Sequence, residues 1–257
     1  MEEPILGKLD GRVVIVTGAG AGIGRGVALA LAHEACSVVL MGRTPGPLED
    51  VAAEVRKRGT QALCIPGDVG LLNDVERCMS KAIEHFGRLD VLINNAQGYR
   101  HASLADVTDE DMDLTWRTGP LASFRFMKSA YPYLRKTKGV IVNFGSGTQV
   151  DPRESFHASY NAAKMAIQGL TRSAAVEWGK DGIRSFLIIP LSVTPQTLAL
   201  KARDPAMFDS IVSRVPLGRF GDTEKDIGRT IAWLVGPDNT YMTGSTIMLD
   251  GGMFYVR

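Results

Sequence analysis

Short apolar runs alternate with helical stretches along the whole chain, and this alternation restricts the fold more than any other feature. The runs are rich in β-branched residues and predict seven strands, at residues 12–18, 37–43, 61–69, 88–98, 139–147, 183–190 and 245–252. They are continuously apolar rather than alternating, which is typical of strands buried on both faces of a parallel sheet. Helical periodicity between them predicts helices on both faces, at residues 22–36, 46–59, 71–87, 108–135, 155–178 and 223–235.

The predicted fold is therefore α/β: a single doubly wound, Rossmann-like domain over residues 1–257, with a mostly parallel seven-stranded sheet. No linker, internal repeat or low-complexity tract divides the chain, and its 45% hydrophobic content is enough for one large core. Residues 191–217 carry an apolar face between the sixth strand and the last helix. We interpret them as a segment that covers a mid-sized, partly apolar substrate.

Composition excludes several classes of function. With 29 Lys and Arg against 28 Asp and Glu, the net charge of +1 argues against a nucleic-acid surface. No apolar run approaches the roughly 20 residues that a membrane span needs, and the acidic N-terminus does not resemble a signal peptide. Three cysteines without CxxC spacing and four scattered histidines predict no metal site. We expect a cytoplasmic protein whose partner is a small-molecule substrate, without a nucleic-acid or membrane partner.

A glycine-rich loop, TGAGAGIG at residues 17–24, joins the first strand to the first helix. Gly18, Gly22 and Gly24 allow a tight turn and a close approach of the backbone to a pyrophosphate, and the helix N-terminus supplies free N–H groups. Such a loop can also be a plain strand-to-helix turn. Its place after the first strand of the series favours a dinucleotide site.

The end of the second strand bears on which dinucleotide binds. A site for NAD usually carries an acidic residue there, which holds the ribose 2′-hydroxyl. This chain has Gly42 and Arg43 instead, and no carboxylate before Glu49. Arg43 can pair with a 2′-phosphate, so we predict NADP(H) as the cofactor. If Arg43 is only a solvated loop charge, NAD(H) remains possible.

Tyr160 and Lys164 lie four positions apart in the predicted helix 155–178, so they share one face. Taken alone, the pair has two interpretations. The tyrosine can pack in the core while the lysine extends to water, or the phenol and the ammonium can act together in chemistry.

Further motifs follow the glycine loop in a fixed order. They are GDV with Asp68, NNA at residues 94–96, NFGSG with Ser146, and YNAAK at 160–164. In this order and spacing the chain resembles the short-chain dehydrogenase/reductase family along nearly its whole length. Ser146 precedes Tyr160 by 14 residues, one more than is commonest in that family.

The resemblance implies a catalytic set of Ser146, Tyr160 and Lys164. Tyr160 would be the general acid and base, Ser146 would donate a hydrogen bond to the substrate oxygen, and Lys164 would hold the nicotinamide ribose. We expect the ammonium to lower the pKa of the phenol from its usual value of about 10. The implied cofactor contacts are Gly18, Ala21, Gly22, Ile23, Gly24, Arg43, Asp68, Val69, Asn95, Ala96, Tyr160, Lys164 and Pro190.

Three departures from the family pattern fall near the expected site. Gly119 replaces an asparagine, and we expect the Gly119–Pro120 pair to kink the helix and open backbone carbonyls to water. Gln97 replaces a glycine in NNAQG, and Leu191 follows Pro190 in place of glycine. We predict that Gln97, Gln149 and Leu191 shape the substrate site.

These residues predict an NADP(H)-dependent oxidoreductase that interconverts a carbonyl and a secondary alcohol. Three alternatives remain open from the sequence: an NAD-dependent alcohol dehydrogenase, a non-catalytic NADP-binding regulator, and a scaffold subunit of a hetero-oligomer. We also expect a homo-oligomer, a tetramer or a dimer, because the resemblance implies it and because the last residues, TIMLDGGMFYVR, end the chain with an apolar tail.

Overall fold

All seven strands form one parallel sheet in the computed structural model, which describes residues 7–151 and 156–254. The order across the sheet is β3-β2-β1-β4-β5-β6-β7, and every neighbouring pair is parallel, where the sequence predicted a mostly parallel sheet. The strands are β1 Val13–Thr17, β2 Ser37–Gly42, β3 Ala62–Pro66, β4 Val91–Asn94, β5 Val140–Phe144, β6 Arg184–Pro190 and β7 Thr246–Leu249. The predicted Rossmann-like α/β fold is confirmed.

Helices connect successive strands. They are α1 Gly22–His33, α2 Pro45–Lys57, α3 Leu72–Phe86, α4 Asp109–Thr118, α5 Pro120–Thr137, the short α6 Gly147–Val150, α7 Ala158–Trp178, α8 Pro195–Arg203, α9 Pro205–Ser213 and α10 Arg229–Val235. A π-helical turn, Thr223–Gly228, leads into α10. None of the helices in the described ranges is both long and apolar enough to cross a membrane.

Two apolar layers, one on each face of the sheet, stabilise this arrangement. Alternate side chains of β1 point to opposite faces, with Val14 and Val16 in one layer and Val13 and Ile15 in the other. All four are buried. Each such side chain contributes about 1.5–3 kcal/mol by leaving water, which explains why the strands are apolar on both faces.

The sheet has a reversal point that determines where a ligand can bind. The strands β1, β2 and β3 follow one another toward one edge of the sheet. The strands β4 to β7 follow one another toward the opposite edge. The connections after β1 and β4 therefore separate and leave a crevice at the carboxyl ends of these strands.

The predicted helix over residues 108–135 is two helices. α4 ends at Thr118, and α5 begins at Pro120. Gly119, with φ −102° and ψ −96°, lies outside the helical region. Pro120 has no N–H to donate to the carbonyl one turn earlier, and the first position of a helix tolerates this loss best, so α5 begins there. The expected kink is thus a break.

The C-terminal tail also differs from expectation over the part that the structure describes. Met253 is buried and Phe254 is half-buried, and both pack in a cluster with Val215 and Phe220. These two residues are therefore covered by their own chain. The rest of the predicted tail, residues 255–257, lies outside the described residues.

Candidate active site

The glycine loop has the geometry that a dinucleotide cradle needs. Gly18 and Gly22 have φ values of +67° and +54°, which favour glycine. A Cβ on Gly24 would lie 2.3 Å from the carbonyl oxygen of Gly18, so the first turn of α1 packs directly on the loop. Ala21 and Ile23 complete the surface of the loop that faces a groove of about 420 Å³. The glycines of the loop therefore leave space beside the backbone that larger side chains would fill. The residues of the loop fit a dinucleotide.

Asn95 fixes the loop to the neighbouring strand. Its Nδ2 donates to the Thr17 carbonyl over 2.9 Å. Thr17 Oγ1 in turn accepts hydrogen bonds from the backbone N–H groups of Asn95 and Ala96, over 3.0 and 3.1 Å. These bonds hold the ends of β1 and β4 together at the bottom of the crevice, and both Asn95 and Ala96 line the groove.

Two other predicted cofactor contacts lie after β2 and β3. Asp68 accepts a hydrogen bond from Gly70 N over 2.8 Å, and its own N–H donates to Asp74. Val69 is buried beside it. Arg43 follows β2 directly and is exposed, without an ion pair to any side chain in the described ranges. Its guanidinium is therefore available to a ligand.

The three candidate catalytic residues come together at the carboxyl end of β5. Tyr160 and Lys164 lie on successive turns of α7, and Lys164 Nζ is 5.2 Å from the centroid of the Tyr160 ring. The ammonium donates to the Phe144 carbonyl over 2.8 Å. Ser146 caps the N-terminus of α6, its Oγ lies 3.0 Å from Thr148 Oγ1, and its hydroxyl is close enough to the Tyr160 phenol to affect the pKa of that group.

Burial changes the protonation of this pair in a way that the sequence did not predict. It raises the pKa of Tyr160 well above its usual value, and neighbouring Tyr99 adds to the effect, while the Ser146 hydrogen bond opposes it. Burial also lowers the pKa of Lys164 to about 7. The expected lowering of the tyrosine pKa is therefore wrong for this structure, because burial disfavours the charged phenolate.

A second cavity, of about 940 Å³, lies next to the groove. Ser146 and Pro190 line both spaces, whereas Tyr160 and Lys164 line the groove. Leu191, Leu200 and Met207 line the larger cavity, so α8 and α9 of the predicted covering segment border it. The candidate catalytic groups thus stand where a nucleotide-sized groove meets an apolar cavity.

The predicted substrate residues occupy three different places. Leu191 lines the large cavity, and Gln97 lines the groove. Gln149 lines neither, because its Oε1 accepts from Ser146 N over 2.9 Å and its Nε2 donates to Gln168. A glutamine three residues after a helix-capping serine forms a capping box, and this local role occupies Gln149.

Two of the departures from the family pattern prove to be spatial neighbours. A Cβ on Gly119 would lie 2.7 Å from Gln97 Nε2 and 2.9 Å from the Thr115 carbonyl oxygen. Gln97 therefore fills the space that a side chain at position 119 would need. Both polar atoms of the Gln97 amide are buried without a hydrogen-bond partner in the described residues, as expected of a side chain that meets a ligand in the groove.

Sequence reasoning missed a group of stacked rings beside Tyr160. The Tyr99 ring stacks on Tyr160 at 4.2 Å between centroids. His101 lies 4.8 Å from Tyr99, and His157 lies 4.9 Å from His101. The only sequence signal was aromatic residues directly after the NNAQG motif. The two histidines meet here without forming a set of three or more metal-ligating side chains in the described ranges.

The fold is that of oxidoreductases that use a nicotinamide cofactor. The candidate active site lies where the strand order of the sheet reverses. Residues 18–254 match the protein family described as enoyl-(acyl carrier protein) reductase. The chain belongs to the short-chain dehydrogenase/reductase family, as the motifs indicated, and it is an enzyme. The alternative of a non-catalytic regulator is therefore not supported.

Curated relatives and solved structures agree with this assignment. The chain is 41% identical over 256 residues to a 12alpha-hydroxysteroid dehydrogenase of a Clostridium species, covering 96% of this chain and 98% of the relative. It superposes on an L-sorbose reductase of Gluconobacter frateurii, solved with NADPH and L-sorbose, with a TM-score of 0.90 and 27% identity over 98% of this chain and 99% of that one. A short chain dehydrogenase of Burkholderia cenocepacia, solved with NADP, gives a TM-score of 0.88 and 29% identity over 96% and 99%.

Proposed function

We propose that this enzyme is an NADP(H)-dependent ketoreductase and alcohol dehydrogenase for mid-sized, partly apolar substrates, built as one domain. The observation that carries the proposal is the position of Ser146, which lines both the groove and the largely apolar cavity and whose hydroxyl lies beside the Tyr160 phenol. A substrate carbonyl placed beside Ser146 would lie between the hydroxyl groups of Ser146 and Tyr160 on one side and the cofactor groove on the other.

The residues have separate roles in the proposed reaction. Bound NADPH supplies the hydride. Tyr160 donates its proton to the carbonyl oxygen, and Ser146 donates a hydrogen bond that orients that oxygen. Lys164, buried below Tyr160, holds the nicotinamide ribose and exchanges a proton near neutrality. The phenol is protonated near neutral pH, as its role as proton donor in carbonyl reduction requires, and burial raises its pKa further.

A substrate screen tests the proposed activity directly. Purified enzyme is mixed with NADPH and a panel of aryl ketones, steroid ketones and sugar ketones, and loss of the reduced nicotinamide absorbance is followed. The name of one relative supports steroid compounds, and the apolar residues of the cavity lining favour steroid and aryl ketones over sugars. If no member of the panel consumes NADPH, the proposed substrate class is wrong.

Arg43 is the proposed basis of cofactor choice. The Arg43→Ala variant is expected to weaken NADPH binding by about 10- to 100-fold and NADH binding by less than about 3-fold, because a charge-assisted contact contributes roughly 1.5–3 kcal/mol. Binding is measured by nicotinamide fluorescence. The matched Arg43→Lys variant retains the charge and is expected to recover part of the affinity. Equal losses for both cofactors would show that Arg43 does not contact the 2′-phosphate.

We also propose a homo-oligomer, a tetramer or a dimer. The described part of the C-terminal tail is covered by its own chain, so it does not support an oligomer. The exposed apolar side chains of α4 and α5, Met112, Trp116 and Phe124, support the oligomer instead. Clustered apolar surface of this kind is typical of protein interfaces. Sedimentation at micromolar concentration is expected to give a mass at least twice that of the chain, and a monomeric mass would refute the proposal.

A further inference from the structure

The large cavity has one fixed charge among the residues that line it in the described chain. Most of these residues are apolar or aromatic, such as Leu191, Leu200, Met207, Phe220 and Phe254, and uncharged polar groups come from Ser146, Thr148, Gln196 and Thr197. Arg203 supplies the charge, and no lysine, aspartate or glutamate is among the lining residues of the described chain. Arg203 is exposed in the last turn of α8, where a cation also interacts favourably with the helix dipole, and its place in the lining lets its guanidinium meet an anionic group of a ligand.

Arg203 has no counter-charge among the residues that the structure describes. It is the last residue of α8, and it forms no ion pair with a described residue. The adjacent carboxylate, Asp204, is turned away because it caps α9, accepting from Met207 N over 2.9 Å. The neighbouring Lys201 lies over the Phe208 ring at 5.3 Å and does not line the cavity. Arg203 is thus the cation that α8 presents to the cavity.

The ring cluster beside Tyr160 lines the same cavity as Arg203. His101 lines the same cavity, and its pKa is lowered first by burial, then by His157, and also by the charge of Arg203. Arg203 therefore lies close enough to His101 for their charges to interact. Ring-to-ring steps of 4.2 and 4.8 Å separate Tyr160 from Tyr99 and Tyr99 from His101. Arg203 lines the large cavity but not the groove that Tyr160 and Lys164 line, so the guanidinium and the candidate catalytic pair lie at different parts of the site.

We propose that Arg203 is the counter-ion for an anionic group on the substrate, and that the substrate class is a ketone or alcohol with an apolar body ending in a carboxylate or a similar oxyanion. This inference rests on the proposed function and narrows it. An arginine can hold such a group with two parallel N–H···O bonds. The apolar walls then bind the body, and Ser146 and Tyr160 meet the carbonyl at its other end.

The test compares one ketone in two charge states. Naphthoylpropionate and its methyl ester share the ketone and the aryl body and differ in the carboxylate. With NADPH, the wild-type enzyme is expected to prefer the acid in kcat/KM. Arg203→Gln is expected to lose about 10- to 100-fold in kcat/KM for the acid, mainly through KM, and less than about 3-fold for the ester. Arg203→Lys is expected to retain a preference for the acid.

Lys201→Gln is the matched control, because it removes a positive charge from the same helix at a position that does not line the cavity. It is expected to leave the acid-to-ester ratio unchanged. Equal loss for acid and ester in Arg203→Gln, or an equal effect of Lys201→Gln, overturns the inference.

Calorimetric binding separates this inference from the proposed function. If neither compound is reduced, but the acid binds the NADPH complex and loses affinity in Arg203→Gln, the anion site stands and the proposed reaction on this ketone fails. If the acid binds no better than the ester, the anion site is refuted whether or not the ketone is reduced.

Discussion

Replacing Tyr160 with phenylalanine is expected to reduce carbonyl reduction by about 10³-fold or more while leaving NADPH affinity within about 3-fold of wild type. The phenol is the group that can give a proton to the substrate oxygen, and burial keeps it protonated near neutrality. Phenylalanine preserves the ring that stacks on Tyr99, so the walls of the site are retained. Steady-state kcat with the best ketone of the screen measures the loss.

The control for this variant is Tyr131→Phe. Tyr131 donates its hydroxyl to Asp181 over 2.8 Å, at a position that lines neither the groove nor the large cavity. That substitution also removes one phenolic oxygen, and we expect wild-type kcat. A Tyr160→Phe enzyme with near-normal kcat would remove Tyr160 from the proposed mechanism.

The fold was predictable because it depends on local patterns. A continuous apolar run such as residues 12–18 is stable only in a strand that is buried on both faces of a sheet. The structure places β1, Val13–Thr17, inside the sheet between β2 and β4. The glycine loop was predictable for the same reason, since positive φ at Gly18 and Gly22 is a property of the local backbone. Strand ends were the least certain, and β4 is shorter than the predicted 88–98.

The site was only partly predictable because it depends on contacts between distant segments. The ring cluster joins Tyr99 and His101, which follow β4, to Tyr160 on α7. The relation between Gly119 and Gln97 likewise joins a helix break to the loop after β4. Neither contact has a signature in the spacing of residues along the chain. Gln149 failed as a pocket residue because a local capping interaction competed with the predicted role.

The protonation of Lys164 was unpredictable for a related reason. The sequence shows an ammonium one turn from a phenol, which alone would lower the pKa of the phenol. It does not show that Lys164 is only 4% exposed. Burial disfavours the charged form of each group, so the pKa of the phenol is raised and the pKa of the ammonium is lowered.

Replacing Lys164 with methionine is expected to separate activity from stability. Activity should fall by about 10²-fold or more, because the group proposed to hold the ribose and exchange a proton is lost. The free energy of unfolding should rise by roughly 1–3 kcal/mol at about pH 6, because a buried ammonium is removed and methionine fills a similar volume. The gain is reduced by the loss of the hydrogen bond from Lys164 to the Phe144 carbonyl.

The increase in the free energy of unfolding that Lys164→Met produces should depend on pH, and this dependence is the more specific test. The folded protein releases the Lys164 proton at about pH 7, and the unfolded chain releases it only at about pH 10.4. Between these values the unfolded chain binds more protons, so wild-type stability rises with pH, by up to about 1.4 kcal/mol per pH unit. The advantage of Lys164→Met should therefore be greatest at or below about pH 7 and shrink as the pH approaches about 9.

Denaturant unfolding of both proteins at matched pH values measures this difference. Burial raises the pKa of Cys36 and Cys78, so both proteins lose stability as the pH rises above about 8.5, where the unfolded thiols ionise. Because the cysteines are common to wild type and variant, their contribution cancels in the difference between the two. A difference that stays constant from about pH 6 to 9 would mean that Lys164 titrates alike in the folded and unfolded chains. The buried ammonium would then carry no cost, and the proton exchange assigned to Lys164 near neutrality would lose its physical basis.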